Sequence, residues 1–236
     1  MKIDPSVTAE TALSKLPNFD PRAVPVIGID THLPAVERAA LAPDALRHRF
    51  THPPAWEPEV WAERKFAERD PTHASVLVPI VMRERPTVIL TERTTHLSTH
   101  SGQVAFPGGK RDETDTDAVH TALREAHEEI GLEHEFAEVI GQMPTYTTGT
   151  RFIITPVVAL VRAEHALKLN AYEVADAFEV PLEFLMNPSH HHRHALEWAG
   201  ARREWFSMPY MDGKAERFVW GATAGMLRNL YRFLVA

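Results

Sequence analysis

Glu125, Glu128 and Glu129 occupy positions i, i+3 and i+4 of one stretch, Arg124-Glu-Ala-His-Glu-Glu-Ile-Gly-Leu132. In a helix, side chains three and four residues apart lie above one another on one face, so these three carboxylates crowd together. Like charges at this spacing cost roughly a few tenths of a kcal/mol per pair. Glu128 and Glu129 also fall in the last turn, where the helix dipole disfavours an anion by about 0.3–1 kcal/mol. A hard divalent cation reverses the sign of both effects, because Mg²⁺ takes carboxylate oxygens together with substrate phosphates. The alternative is a solvated acidic face with Arg124 paired to Glu128 at i+4, worth about 0–1 kcal/mol. The preceding Pro107-Gly108-Gly109 favours the cation. It predicts a tight, side-chain-free turn whose carbonyls can approach an ion or ligand.

A helix over about 117–130 must carry these acids. Val119, Ala122, Leu123, Ala126 and Ile130 form its apolar stripe. Asp115, Thr116 or Asp117 can cap its start, and Gly131 can stop it in a left-handed conformation. Upstream, the β-branched runs 75–82 and 87–93 read as strands, followed by a third over 103–106. Downstream, strands are predicted over 138–143, 152–161 and about 177–180. A last helix spans 220–234, with Ala222, Met226, Leu227, Leu230 and Leu234 on its buried side. This order predicts the α/β (α+β) class, a mixed β-sheet with helices on its faces. Residues 1–70 differ in texture, rich in proline and carrying Phe50, Trp56, Trp61 and Phe66. They predict short helices joined by proline-rich loops, an extension packed on a main domain of 71–236.

The 236 residues are 44% hydrophobic, enough for one sizeable core. Acidic residues outnumber basic ones 32 to 25, a formal charge of −7 that disfavours a nucleic-acid polymer as partner. With no cysteine, disulfides, thiol nucleophiles and cysteine-ligated zinc are excluded. The N-terminus lacks the apolar core of a secretory signal, and no apolar stretch is long enough for a bilayer. A cytoplasmic protein with no membrane partner is expected. The run His190-His-His-Arg-His194 invites a zinc reading, but it follows the loop opening Asn187-Pro-Ser189 and lacks carboxylates at ligand spacing. It reads as a solvated loop.

Residues 109–132 resemble the Nudix box, G-x5-E-x7-R-E-U-x-E-E-x-G-U with U aliphatic. Residues 124–132 match every fixed position, Ala126 being a small U. The first half departs: Gly109 to Arg124 is one residue longer, and Asp112, Asp115 and Asp117 stand where the pattern has its first glutamate. Upstream, residues 90–109 are similar to the signature L-L-T-x-R-S…R…G-x3-F-P-G-G of the coenzyme A diphosphatase subgroup. Thr91, Arg93, Gly102 and Phe106-Pro-Gly-Gly109 match, whereas Thr94 replaces the serine and Ser98 the second arginine. The similarity continues through Glu179-Val-Pro-Leu182 and Val219-Trp-Gly-Ala-Thr-Ala224 and so covers about 71–236.

The resemblance implies a Nudix-type α/β/α sandwich and a hydrolase in which water attacks one phosphorus of a diphosphate. It further implies Mg²⁺ or Mn²⁺ as cofactor, neutralising phosphoryl charge and lowering the pKa of bound water. By transfer, Glu125, Glu128, Glu129 and the Gly108 carbonyl are metal ligands, and Arg124 holds a glutamate in position. Glu173 and Glu179 are candidates for the general base, the other reading of either being a surface acid. Arg93 either binds a substrate phosphate or pairs with a carboxylate; Gly102 and Phe106 join it as expected substrate-binding residues. The implied reaction splits coenzyme A, or its thioesters, into 4′-phosphopantetheine and adenosine 3′,5′-bisphosphate. Ser98 leaves open another nucleoside diphosphate derivative: ADP-ribose, NADH or a dinucleoside polyphosphate. A catalytically silent nucleotide sensor is the remaining alternative, against which the complete glutamate set argues. The expected partner is a small nucleotide, and a homodimer is allowed.

Overall fold

The computed structural model describes residues 19–60, 62–63, 70–94, 102–198, 201–213 and 215–236. In chain order its strands are β1 (Val26–Ile29), β2 (Thr72–Val81), β3 (Thr87–Arg93), β4 (Val104–Ala105), β5 (Gly108–Lys110) and β6 (Ala137–Gln142). They continue with β7 (Tyr146–Thr147), β8 (Phe152–Val161), β9 (Val174–Pro181), β10 (His192–Trp198), β11 (Ala201–Asp212) and β12 (Ala215–Trp220). The helices are α1 (Pro43–Thr51), α2 (Ala118–Ile130), α3 (Leu182–Leu185) and α4 (Gly221–Val235).

β2 and β8 run parallel through the middle of an eight-stranded mixed sheet ordered β4-β3-β2-β8-β6. β9 pairs with β3, β5 with β2, and β7 with β8. A strand covered on both faces needs apolar residues at consecutive positions, and β2 is buried from Ala74 to Val81. Leu77 and Val81 share one cluster with Ala122, Ala126 and Ile130 of α2. Val76, Val78 and Ile80 point to the other cluster, with Leu46 of α1 and Leu227, Leu230 and Tyr231 of α4. Helices therefore cover both faces, as the order of elements predicts.

α2 starts where Asp117 accepts the His120 amide at 2.9 Å, and it ends at Gly131, whose φ of 65° is the left-handed turn. Both ends agree with the sequence reading. So do β2, β3, β8 and α4, within a residue or three at their bounds.

A second sheet, β1-β10-β11-β12, was not anticipated. It overturns the solvated-loop reading of the histidine run: residues 192–198 are a strand, and His191 and His194 are buried. His194 donates from Nδ1 to the Val24 carbonyl at 2.9 Å and accepts from Ser207 Oγ at 2.8 Å. The extension holds a short helix, α1, but also strand β1. It docks through Leu41 and Leu46, and Asn229 brackets the backbone of Val60 with two hydrogen bonds. Trp61 and Phe66 lie outside the described residues.

Candidate active site

The expected turn at Gly108-Gly109 is instead strand β5, antiparallel to β2, with Ser75 opposite Gly109 and Val76 opposite Gly108. The sheet pairing holds this backbone flat against the last turns of α2. A Cβ on Gly109 would lie 2.4 Å from a carboxylate oxygen of Glu125. Glycine here admits the acid, not a turn. One residue earlier, the Gly108 amide donates to Glu129 Oε2 at 3.1 Å.

The three glutamates are not equivalent. Glu128 is half exposed and accepts from Arg124 Nη1 at 3.0 Å. Glu125 is mostly buried, with Arg124 Nη2 3.0 Å from its Oε1. Glu129 is 4% exposed, so it lies on the inward side of α2 rather than on the solvated polar face the spacing suggests. Burial raises the pKa of Glu129 to about 7, against the pull of the Gly108 amide and Arg93; the charges of Glu125 and Glu173 add to the rise. Burial likewise raises Glu125, opposed by Arg124 and reinforced by Glu128 and Glu173. A buried set of carboxylates that resist joint ionisation fits a hard divalent cation, all its donors being oxygen. Among the described residues, no three acidic or histidine side chains already converge on one ion position.

Asp115 organises this end of the helix. Its fully buried carboxylate takes Arg124 Nε and Nη2 at 2.9 Å each, the Asp112 amide at 2.8 Å and His120 Nδ1 at 2.8 Å. The Arg124 fork holds that carboxyl well below the usual carboxylate range. Arg124 also donates to the Lys110 carbonyl at 3.1 Å, tying β5 to α2. The sequence offers Asp115 as a capping option and as one of three aspartates in place of the first glutamate of the box, but not as the partner of Arg124; the available signal was an acid nine residues ahead of Arg124.

Arg93, at the end of β3, reaches Glu129 Oε1 with Nη1 at 3.6 Å. Its Nε is buried and has no hydrogen-bond partner among the described residues. Gly102 donates its amide to the Arg93 carbonyl at 3.1 Å, so it fastens the returning chain beside Arg93.

Residues 71–206 match the model of the NUDIX domain. The chain belongs to the Nudix family. A protein named "uncharacterized Nudix hydrolase NudL" from Enterobacter sp. (strain 638) is 41% identical over 158 residues, covering 66% of this chain and 80% of its own. One of the same name from Escherichia coli O6:H1 (strain CFT073) is 40% identical, covering 66% of this chain and 80% of its own. Among solved structures, a C. elegans Ap4A hydrolase binary complex has 18% identity and a TM-score of 0.41, covering 47% of this chain and 80% of that one.

Within this Nudix hydrolase, the other expected site residues separate. Glu173 ends the β8–β9 connection and is close enough to Glu125 and Glu129 to raise both. Asn170 Nδ2 donates to its Oε1 at 3.4 Å. Glu179 points elsewhere: Arg83 holds it through two contacts of 2.6 and 2.7 Å, and Thr87 donates to it. That removes Glu179 as a base. Phe106 is 3% exposed and belongs to the core with Val104 and Leu227, so its ring is a packing element rather than an exposed contact surface. Ser98 lies outside the described residues. No helix among them is long and apolar enough to cross a membrane.

Proposed function

We propose that this Nudix hydrolase cleaves the diphosphate of coenzyme A or its thioesters, yielding 4′-phosphopantetheine and adenosine 3′,5′-bisphosphate. The observation carrying the reading is the Arg93–Glu129 contact at 3.6 Å. It joins the upstream stretch, where the coenzyme A resemblance lies, to the acidic helix, where the hydrolase resemblance lies. Residues 71–236 form the hydrolase domain in this reading, with 1–70 as its extension.

Nudix hydrolases generally use divalent metal ions; here Glu125, Glu128, Glu129 and the Gly108 carbonyl would hold Mg²⁺ or Mn²⁺. A cation bound there neutralises phosphoryl charge and lowers the pKa of water. Arg124, fixed by Asp115, orients Glu125 and Glu128. Arg93 offers its donors to a phosphate oxygen, the contact for which a guanidinium is shaped. The water oxygen forms a new bond to phosphorus, the bridging P–O bond breaks, and Glu173 accepts the water proton.

The test is a panel: purified protein and Mg²⁺ with coenzyme A, ADP-ribose, NADH and diadenosine polyphosphates, the products identified by mass. Preferential release of the two named products supports the proposal. Preference for another member replaces the substrate, and binding without any turnover supports a sensor.

A further inference from the structure

Glu92 of β3 and Asp176 of β9 stand directly opposite each other in the main sheet. Like charges at such cross-strand positions repel. The cation between them comes from the second sheet. Arg217 of β12 donates from Nη1 to Glu92 Oε2 at 2.9 Å and from Nη2 to Asp176 Oδ2. Asp212 of β11 accepts from Nε and Nη2 of the same guanidinium at 3.3 and 3.2 Å. Its Cζ also lies 4.3 Å from the centroid of the buried Phe178 ring. All three nitrogens of Arg217 are thereby engaged, with 15% of its side chain exposed.

One residue further on, the regular pairing of these strands breaks. Arg93 is opposite Val174, so Ala175 is an extra residue on β9 and the register shifts between Glu92 and Arg93. Successive side chains of a strand point to opposite faces. Glu92 accordingly goes to Arg217 on one face, and Arg93 to Glu129 of α2, 3.6 Å away, on the other. Glu173, beyond the irregularity, accepts from the Thr94 amide at 3.0 Å with its carbonyl. The two side chains assigned to the phosphate and the water proton thus leave the sheet at a bulge. Arg217 clamps the last regular pair before it.

We propose that Arg217 is a positioning residue: by neutralising the opposed carboxylates of Glu92 and Asp176, it fixes the bulge from which Arg93 and Glu173 reach the reaction centre. This rests on the diphosphate reading of that site. Three carboxylates around one guanidinium leave the cluster net negative. Removal of Arg217 therefore sets Glu92 and Asp176 against each other one residue from Arg93. The ladder is already disrupted at a bulge and resists such a push poorly. A displacement of about 1 Å at a reacting group can cost about 10²-fold in rate. By this route the second sheet acts on a reaction it does not touch.

The experiment measures binding of α,β-methylene-ADP, a diphosphate analogue that resists cleavage, by calorimetry with Mg²⁺. Arg217→Met should weaken binding about tenfold. In an Arg93→Ala background the same change should cost less than about twofold, because the clamp acts through Arg93. Removing one opposed charge, in Arg217→Met/Asp176→Asn, should recover most of the loss. If Arg217→Met does not fold, the two backgrounds are compared with Arg217→Lys, which keeps the charge without the fork. Equal weakening in both backgrounds, no weakening, or no recovery with Asp176→Asn overturns the clamp. Absence of binding by wild type would instead contradict the diphosphate reading, and the clamp with it.

Discussion

Arg124 lays its guanidinium fork on Asp115, Nε to Oδ1 and Nη2 to Oδ2, each at 2.9 Å, nine residues back along the chain. The remaining nitrogen goes to Glu128. The orientation of the acidic face thus depends on an acid whose carboxylate is fully buried. Replacing Asp115 by Asn removes the charge from a buried fork, and hydrogen bonds to charged groups contribute about 1.5–3 kcal/mol. Asp115→Asn should lose stability of that order by denaturant titration, with kcat lowered as Arg124 swings free. Unchanged kcat with lowered stability would confine Asp115 to folding.

Glu128 is half exposed and sits at the C-terminal end of α2, where its charge is disfavoured by about 0.3–1 kcal/mol. Glu128→Gln should abolish turnover with the melting temperature unchanged or raised. Activity near wild type would remove Glu128 from the site.

Gly109 separates function from stability. An added Cβ meets the end of a flexible side chain, the Glu125 carboxylate at 2.4 Å, and not backbone. Gly109→Ala should cost about 1 kcal/mol or less in stability, because Glu125 can move aside. It should raise the Mg²⁺ concentration needed for half-maximal rate. A normal Mg²⁺ dependence would show that the position of Glu125 is not critical.

His191 sets a pH dependence of folding. Arg228 donates to its Nδ1 at 3.1 Å and its Nε2 donates to the Leu185 carbonyl at 2.8 Å, so the ring is neutral. Burial, with the Arg228 charge and the nearby His190, lowers its pKa to about 4, against the Leu185 carbonyl and Asp30. The folded pKa is depressed, so the stability is present above the unfolded value near 6.5 and is lost as pH falls toward about 4. At full extent this is on the order of 3 kcal/mol. The melting temperature should fall between pH 7 and 4.5, and less steeply in His191→Gln. Parallel slopes would assign the acid sensitivity to other groups.

The reaction-bearing helix was legible because its signals are local: an apolar stripe at helical spacing, Asp117 to start it and Gly131 to end it. The burial of Glu129 was not, since only the approach of β5 turns that position inward. The second sheet escaped for a similar reason. His192-Arg-His-Ala-Leu-Glu-Trp198 has no β-branched residue, and its strand form depends on pairing with β11 and on the buried His194, whose partners Val24 and Ser207 lie outside the strand. Phe106 lay within a matched motif, yet a motif records which residues recur together and not which of them face solvent.

Electron paramagnetic resonance of Mn²⁺ tests most directly whether the carboxylates at the β5–α2 junction gather a cation. Wild-type protein should remove the free-Mn²⁺ signal on titration, and Glu125→Gln/Glu129→Gln should weaken uptake at least about tenfold, since even residues supporting metal ligands are worth about 10–100-fold. Equal uptake by the two proteins, or none by wild type, would contradict the account.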